Sequence, residues 1–454
     1  MLYLLRKIPA SKVIPKWCRG AILKDKVIKR DKYLNQLINK QGNEAIKIVT
    51  GLRRCGKSYL LFNLFYDYLI EHGINQKNII KLALDDDRNI QYRNPDNLSE
   101  YLYSHITNET DTFYVLLDEV QLAISDAELK SKVPIRLYGI LNGLARLRNV
   151  DIYITGSNSK FLSSDISTEF RGRGDEIRVN PLSFAEFYSA FNSGDKYDAW
   201  DEYVTYGGMP RLVSMTTDEE KSKYLLDLFK NTYISDIVER YGLRGDTVLE
   251  NLIDVLASSV GSLNNPTKIA TTFVSNGIKV SDKTISGYIG FLEDAFLIRK
   301  AQRYDIKGRR YIGSPLKYYF NDIGLRNARL NFRQQEPTHL MENIVYNELI
   351  ARGFNVDVGI IEHNVRNSDG KQQTKHLEVD FVCNRGSNRY YIQSAFSIPT
   401  IEKMAQEQAS LDKIDDSFKK IIITQDRTKV WRNEKGYVIM NLLDFLLNPD
   451  SLDW

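Results

Sequence analysis

Three short apolar runs, each ended by polar residues, set the pattern of the first half of the chain. Ala45 to Thr50 (AIKIVT) has the length and content of a buried strand, and the polar stretch Gly51 to Ser58 (GLRRCGKS) separates it from a helical run, Tyr59 to Ile70. Phe113 to Leu117 (FYVLL) predicts a second buried strand that delivers Asp118 and Glu119 to its carboxyl end. Asp151 to Thr155 predicts a third, running into Gly156, Ser157 and Asn158. The periodicity is helical from Asp201 to Leu249, interrupted at Gly207-Gly208-Met209-Pro210. Thr247 to Arg310 then reads as a helix, a helix opened by Pro266, a turn at Gly277, a helix capped by Ser281 and a basic hairpin. The last third offers an amphipathic helix, THLMENIVYNELIARG, and two strands, HLEVDFV and RYYIQSAF.

At 454 residues this pattern is spread over more than one core, since single cores stop growing well below that length. Hydrophobic residues at 43% and charged residues at 26% exclude a largely disordered or collagen-like chain. The formal net charge of +4 is small, so attraction to nucleic acid must come from local clusters. Two exist: residues 1–30 hold nine Lys or Arg against Asp25, and Arg299 to Arg310 holds six against Asp305. Cys18, Cys55 and Cys383 are too scattered for a disulfide framework or a zinc site and fit a reducing cytoplasm. Leu2 to Leu5 is cut by Arg6 and Lys7, and no run approaches membrane-spanning length, so a soluble, cytoplasmic protein with no membrane partner is expected. Asn192 to Asp195 and Asn367 to Gly370 read as short hinges.

The strand, loop and helix around GLRRCGKS are the context a phosphate-binding loop requires. Gly51 and Gly56 permit a tight path on which the N–H groups of the loop, through Arg54, Cys55 and on to Tyr59, face phosphate oxygens at a helix start. Lys57 is expected to reach the β- and γ-phosphates of ATP, and the Ser58 hydroxyl to ligate Mg2+. Cys55 reads as a small filler, a redox-sensitive thiol being the alternative. Asp118 would hold the Mg2+ shell and Glu119 would orient and deprotonate the attacking water. Asn158 is the candidate polar sensor between Asp118 and the γ-phosphate, unless that segment is a simple turn. Arg171 and Arg173 flank Gly172; one is a candidate arginine finger, in cis or from a neighbouring subunit of a homo-oligomer, against surface pairing with Asp175 or Glu176.

The series GLRRCGKS, VLLDEVQ, ITGSNS, RGRGDEIRVNPLSFAEF and YGGMPR, opened by IKRDKYLNQLI, resembles the AAA-type ATPases of archaea and bacteria that carry a C-terminal domain of uncharacterised function. The resemblance covers nearly the whole chain. It implies an AAA+ or STAND-like core, an α/β fold with a parallel sheet, and carries Lys57, Ser58, Asp118, Glu119, Asn158 and Arg173 into their roles. It supplies no biological process.

The expected organisation is an ATPase core over 1–190, a helical lid over 191–246, a winged-helix domain over 247–330 and a smaller α/β domain over 331–454. In the winged helix, Phe291, Leu292 and Leu297 would face inward and Lys283, Thr284, Ser286 and Tyr288 outward. Arg299, Lys300, Arg303, Lys307, Arg309 and Arg310 could follow the backbone of duplex DNA, although such domains also serve to pack against protein. The order of Glu342, Asp380 and Gln393 resembles the restriction-endonuclease-like PD-(D/E)xK fold. Gln393-Ser394-Ala395 stands where Glu-x-Lys is needed, so a degenerate domain used for binding is expected over a working nuclease, with plain structural acids as the alternative. The leading function is an ATP-dependent switch or remodeller with a DNA-binding output. The alternatives are a STAND-like signalling or defence ATPase that binds a protein partner, and an ATP-gated nuclease.

Overall fold

The computed structural model describes residues 27–125, 127–128, 134–156, 170, 172–191, 194–243, 247–333, 336–366 and 372–454. Its first layer is a five-stranded sheet of β1 (Ile46–Gly51), β2 (Ile79–Ala83), β3 (Phe113–Asp118), β4 (Val150–Thr155) and β5 (Gly174–Val179). The order is β2-β3-β4-β1-β5 and every pairing is parallel. Parallel strands joined by crossovers are covered on both faces, which is why β1 and β3 are buried at every position and read as continuous apolar runs. The order places β4 between the strand that leads into the phosphate loop and the strand that ends in Asp118. Register puts Val49 opposite Thr155, Ala83 opposite Asp118 and Gly51 opposite Val179, so these residues share the carboxyl edge.

After the sheet come helices Phe184–Ala190 and Lys196–Tyr206, and the helical stretch resumes, after a turn at Pro210–Ser214, over Asp218–Leu228 and Ser235–Tyr241. The break between them is an anchoring point. Leu182 N donates to Gly208 O at 2.7 Å, and Gly208 N donates to the buried Asp322 carboxylate at 2.8 Å. A Cβ on Gly208 would fall 2.2 Å from Leu182 O, so only glycine lets the two backbones meet.

Helices Thr247–Ser258, Pro266–Ser275 and Asp282–Asp294 lie beside three antiparallel strands: β6 (Leu263–Asn264), β7 (Ile298–Asp305) and β8 (Arg310–Phe320). Leu292 and Leu297 are buried as expected, with Ile285 and Ile289. Phe291 instead stacks on Tyr241, with ring centroids 3.5 Å apart, and Tyr288 lies against Phe291. That corrects the outward reading of Tyr288: it is half-buried, because the helix docks on the helical stretch before it.

The hairpin does not stop at its own region. β7 pairs in parallel with β9 (Asn355–Arg366), which continues through β10 (Gln372–Arg385), β11 (Asn388–Ala395), β12 (Lys419–Thr424) and β14 (Val438–Asn441) to the edge strand β13 (Trp431–Arg432). The result is one nine-stranded sheet, ordered β13-β14-β12-β11-β10-β9-β7-β8-β6. The helix Pro337–Ala351 packs on this sheet and carries Glu342. No helix among the described residues is long and apolar enough to cross a membrane.

Candidate functional site

The phosphate loop begins where β1 ends. Gly51 takes φ of 133°, and a Cβ there would fall 2.0 Å from Val179 O on the neighbouring strand, so the turn out of β1 requires glycine. Gly56, at φ of 100°, starts the helix that runs from Lys57 to Glu71. The Lys57 ammonium is buried and donates to the carbonyls of Gly51 (3.1 Å) and Leu52 (3.0 Å), which hold it inside the loop. Cys55 is fully buried, with its sulfur 3.4 Å from Val179 O, in keeping with a filler. Arg54 is exposed at positive φ, and its charge acts on Tyr224 of the helical stretch.

Asp118 reaches the same edge from β3. Its carboxylate accepts a hydrogen bond from the Thr155 hydroxyl, and the Ser58 hydroxyl lies near enough to favour its ionised form, so the two expected metal ligands are neighbours. Burial first, and the charge of Glu119 second, push the Asp118 carboxyl up to about 6. Glu119 sits at φ of 52°, a conformation that costs energy for a side chain of this kind. Its N–H donates to Thr155 Oγ1 at 3.2 Å, and its carboxylate accepts from the Gln121 amide. Asp85, on the loop after β2, is close enough for Glu119 to raise its carboxyl, after burial, above the ordinary range. One hydroxyl and one buried carboxylate, with two further acids beside them, form a set of hard oxygen donors. Such a set fits Mg2+, which takes one or two protein carboxylates and completes its shell with water and phosphate oxygens.

Two residues that the sequence pattern did not single out belong to this edge. Thr155, on the strand between β3 and β1, hydrogen-bonds both Asp118 and Glu119, a position visible only once β4 is known to lie between β1 and β3. Arg30 lies in the N-terminal basic cluster, yet it is buried. It donates to Cys55 O at 3.1 Å and Asn180 O at 2.7 Å and pairs with Glu186 at 3.0 Å, bracing the loop from behind.

Residues 43–188 match a family model described as an AAA domain, and residues 197–336 match one described as a Domain of unknown function (DUF8612). An uncharacterised protein of Haemophilus influenzae is 33% identical over 428 residues, which cover 93% of this chain and 99% of that protein. The chain belongs to the same family of AAA-domain proteins. An uncharacterised protein of Methanocaldococcus jannaschii is 27% identical over 438 residues, covering 92% of this chain and 90% of that one. The crystal structure of a DNA replication initiation factor is 16% identical, covers 58% of this chain and 86% of that one, and has a TM-score of 0.27, too low to support an argument.

The AAA domain makes this an ATP-binding ATPase fold, and the strand order brings Lys57, Ser58, Asp118 and Glu119 to one edge of it. Arg173 is not with them. It is exposed and immediately precedes β5, with its carbonyl accepting from Ile46 N at 2.7 Å, at the amino end of the sheet. The loop lies at the carboxyl end, a strand length of roughly 20 Å away. A cis arginine finger at Arg173 is therefore corrected: within one chain it cannot reach the loop. Asn158 and Arg171 lie outside the described residues.

Proposed function

We propose that the chain binds ATP with Mg2+ at Gly51–Tyr59 and hydrolyses it. The observation that carries this is the buried Asp118 carboxylate, held by the Thr155 hydroxyl at the carboxyl edge that the phosphate loop with Ser58 shares. The loop N–H groups and Lys57 would hold the phosphates, and Ser58 and Asp118 would hold Mg2+, which supplies charge neutralisation to a transferring phosphoryl group. Glu119 orients and deprotonates a water, and Gln121 fixes the carboxylate that does so. Arg173 would act only across an interface with a second copy, and Arg171 stays a candidate finger in cis or from a neighbouring subunit. The test is ATP binding and phosphate release by wild type, Lys57→Ala and Glu119→Gln. Loss of binding or turnover in the first, with retained binding and lost turnover in the second, is the expected pattern; wild-type behaviour of both sinks the assignment.

The proposed output is duplex DNA, contacted by a winged helix over 247–330 that acts as an ATP-dependent switch or remodeller. Helix, strand, two helices and a hairpin support that reading. Its electrostatic footing is smaller than the sequence suggests. Arg299 is turned inward, donating to Asn180 Oδ1 of the ATPase core at 2.6 Å. Lys300 lies 3.5 Å from Glu293. Lys307, Arg309 and Arg310 remain exposed at the tip. The inward turn of Arg299 and the docking of Tyr288 favour the second reading, a STAND-like signalling protein in which this region packs on protein. Salt-sensitive duplex binding separates the two. The domain over 331–454 is read as a binding scaffold of degenerate nuclease type, since Gln393 offers an amide where a hard cation wants a carboxylate.

A further inference from the structure

The ATPase core, the hairpin and the C-terminal region meet around a cavity of about 40 Å3. Asn180 at the end of β5, Arg299 of β7, Asn321 and Asn347 of the helix Pro337–Ala351 line it, and the phosphate loop does not. A water needs roughly 10–15 Å3 on this measure, so the space suits about three waters or one small oxyanion. The Arg299 guanidinium donates to Asn180 Oδ1 at 2.6 Å, while its Nε is closed off from solvent and has no hydrogen-bond partner. A second arginine lies beside it. Arg178 is two residues before Asn180 along β5, hence on the same side of the strand, and its guanidinium lies 4.5 Å from the centre of the Phe296 ring. Burial first, and the charge of Arg299 second, hold the Arg178 guanidinium down to about 9.

We propose that Arg178 and Arg299, with the Asn180 amide, form a binding site for a small phosphate-like oxyanion at this junction. The acids around the pair are engaged elsewhere: Glu176 accepts from Thr50 Oγ1 at 2.6 Å, Glu293 lies 3.5 Å from Lys300, Glu348 lies 2.7 Å from Arg352, and Asp322 accepts from Gly208 N at 2.8 Å. Among the described residues neither arginine forms an ion pair. Other buried cations differ, Lys47 meeting Asp151 and Arg30 meeting Glu186. A buried charge is costly unless it is paired, and two neighbouring guanidiniums with an N–H unmet are satisfied together by an anion with several oxygens, which the planar fork of arginine matches. The anion would join β5 of the core to β7 of the hairpin. It would also be linked to the nucleotide loop, because the Asn180 carbonyl accepts from Arg30 at 2.7 Å and Arg30 donates to Cys55 O at 3.1 Å. The site stands on its own geometry; only this link rests on the ATP reading.

The test is thermal melting of the full chain, carried out in the Lys57→Ala background so that the phosphate loop does not report, with sodium phosphate against sodium chloride at equal ionic strength. Phosphate should raise the melting temperature by a few degrees, and Arg178→Met and Arg299→Gln should each remove the part of the rise that is specific to the site. The part that remains is the general effect of an excluded salt. In chloride, Arg178→Met should melt at or above the parent temperature, since it removes a repelled buried charge, whereas an arginine that only supports the fold would lower it. Glycerol 3-phosphate as a second probe separates the sources: a response to phosphate alone assigns the free oxyanion, and a response to both assigns a phosphoryl group on a small carrier. With Lys57 restored, phosphate should shift ATP affinity by about fivefold or more, and an unchanged affinity removes the link to the loop. The site itself is overturned by a phosphate response equal in parent and both variants, by none beyond that of chloride, or by variants that fail to fold in either salt, which would make the arginines structural.

Discussion

Asp118 and Asp380 are both buried aspartates, each on a strand beside a second acid, yet their surroundings differ in one respect. Around Asp118 the partners are neutral hydroxyls, from Ser58 and Thr155, with Glu119 and Asp85 adding negative charge. Around Asp380 the Lys317 ammonium, which pairs with the nearby Glu342 and Glu378, draws the carboxyl back down against its burial. Burial raises both carboxyls. The difference separates a site that needs a cation from outside from one that carries its own. A buried acid is a sign of ligand chemistry only after its internal counter-charges have been counted.

The largest effect expected on the Asp118 side comes from Glu119→Gln. Losing the base should lower turnover by roughly 10²–10⁴-fold while ATP binding survives. Steady-state phosphate release against equilibrium nucleotide binding reads this directly, and turnover at the wild-type rate would require another base. Lys57→Ala removes a charge-assisted interaction with the phosphates and should cost on the order of 10²–10³-fold in turnover. Unlike Glu119→Gln it should weaken nucleotide binding as well, so the two variants divide holding from chemistry.

Acid pH sharpens the comparison further. A carboxyl raised to about 6 keeps its proton below that pH, and a metal needs the carboxylate form. Mg2+-dependent ATP affinity should therefore be flat above pH 6 and fall by about tenfold per unit below it. In Glu119→Gln the second cause of the shift is removed, so the acid limb should move to lower pH. A limb that stays in place would show that Glu119 does not act on Asp118. The smallest effect is reserved for the hairpin tip. Arg309→Ala with Arg310→Ala should flatten the log–log salt dependence of duplex binding by about one for each phosphate left unneutralised, on unrelated sequences alike. Absence of salt-sensitive binding by wild type, with and without ATP, would turn the output reading to protein.

The phosphate loop was legible because it is contiguous: strand, glycine-bounded loop and helix follow one another, and the backbone path is set by residues the chain spells in order. The elements of the second half were legible for the same reason, down to the strands that carry Asp380 and Gln393. Side chains that act across elements were not. The amphipathic pattern of Asp282–Asp294 correctly buries Leu292, but it cannot say that Tyr288 and Phe291 meet Tyr241 from another helix. Arg299 looked like part of a charged face, and sequence has no means of showing that Asn180 waits opposite.

By itself the sequence determined the nucleotide loop, the acids that follow it and the alternation of strands and helices, since local periodicity and φ preferences act over a few residues. Only the tertiary structure decided the rest. Sheet order put Thr155 between Asp118 and the loop and left Arg173 at the opposite end. Chain packing turned Arg30 from a basic-tail residue into a brace. The joining of β7 to β9 made one sheet of two regions, within which Lys317 meets Glu342 and Glu378. These interactions link positions far apart along the chain, and Coulombic and hydrogen-bond energies depend on distance in space, which spacing in sequence does not fix.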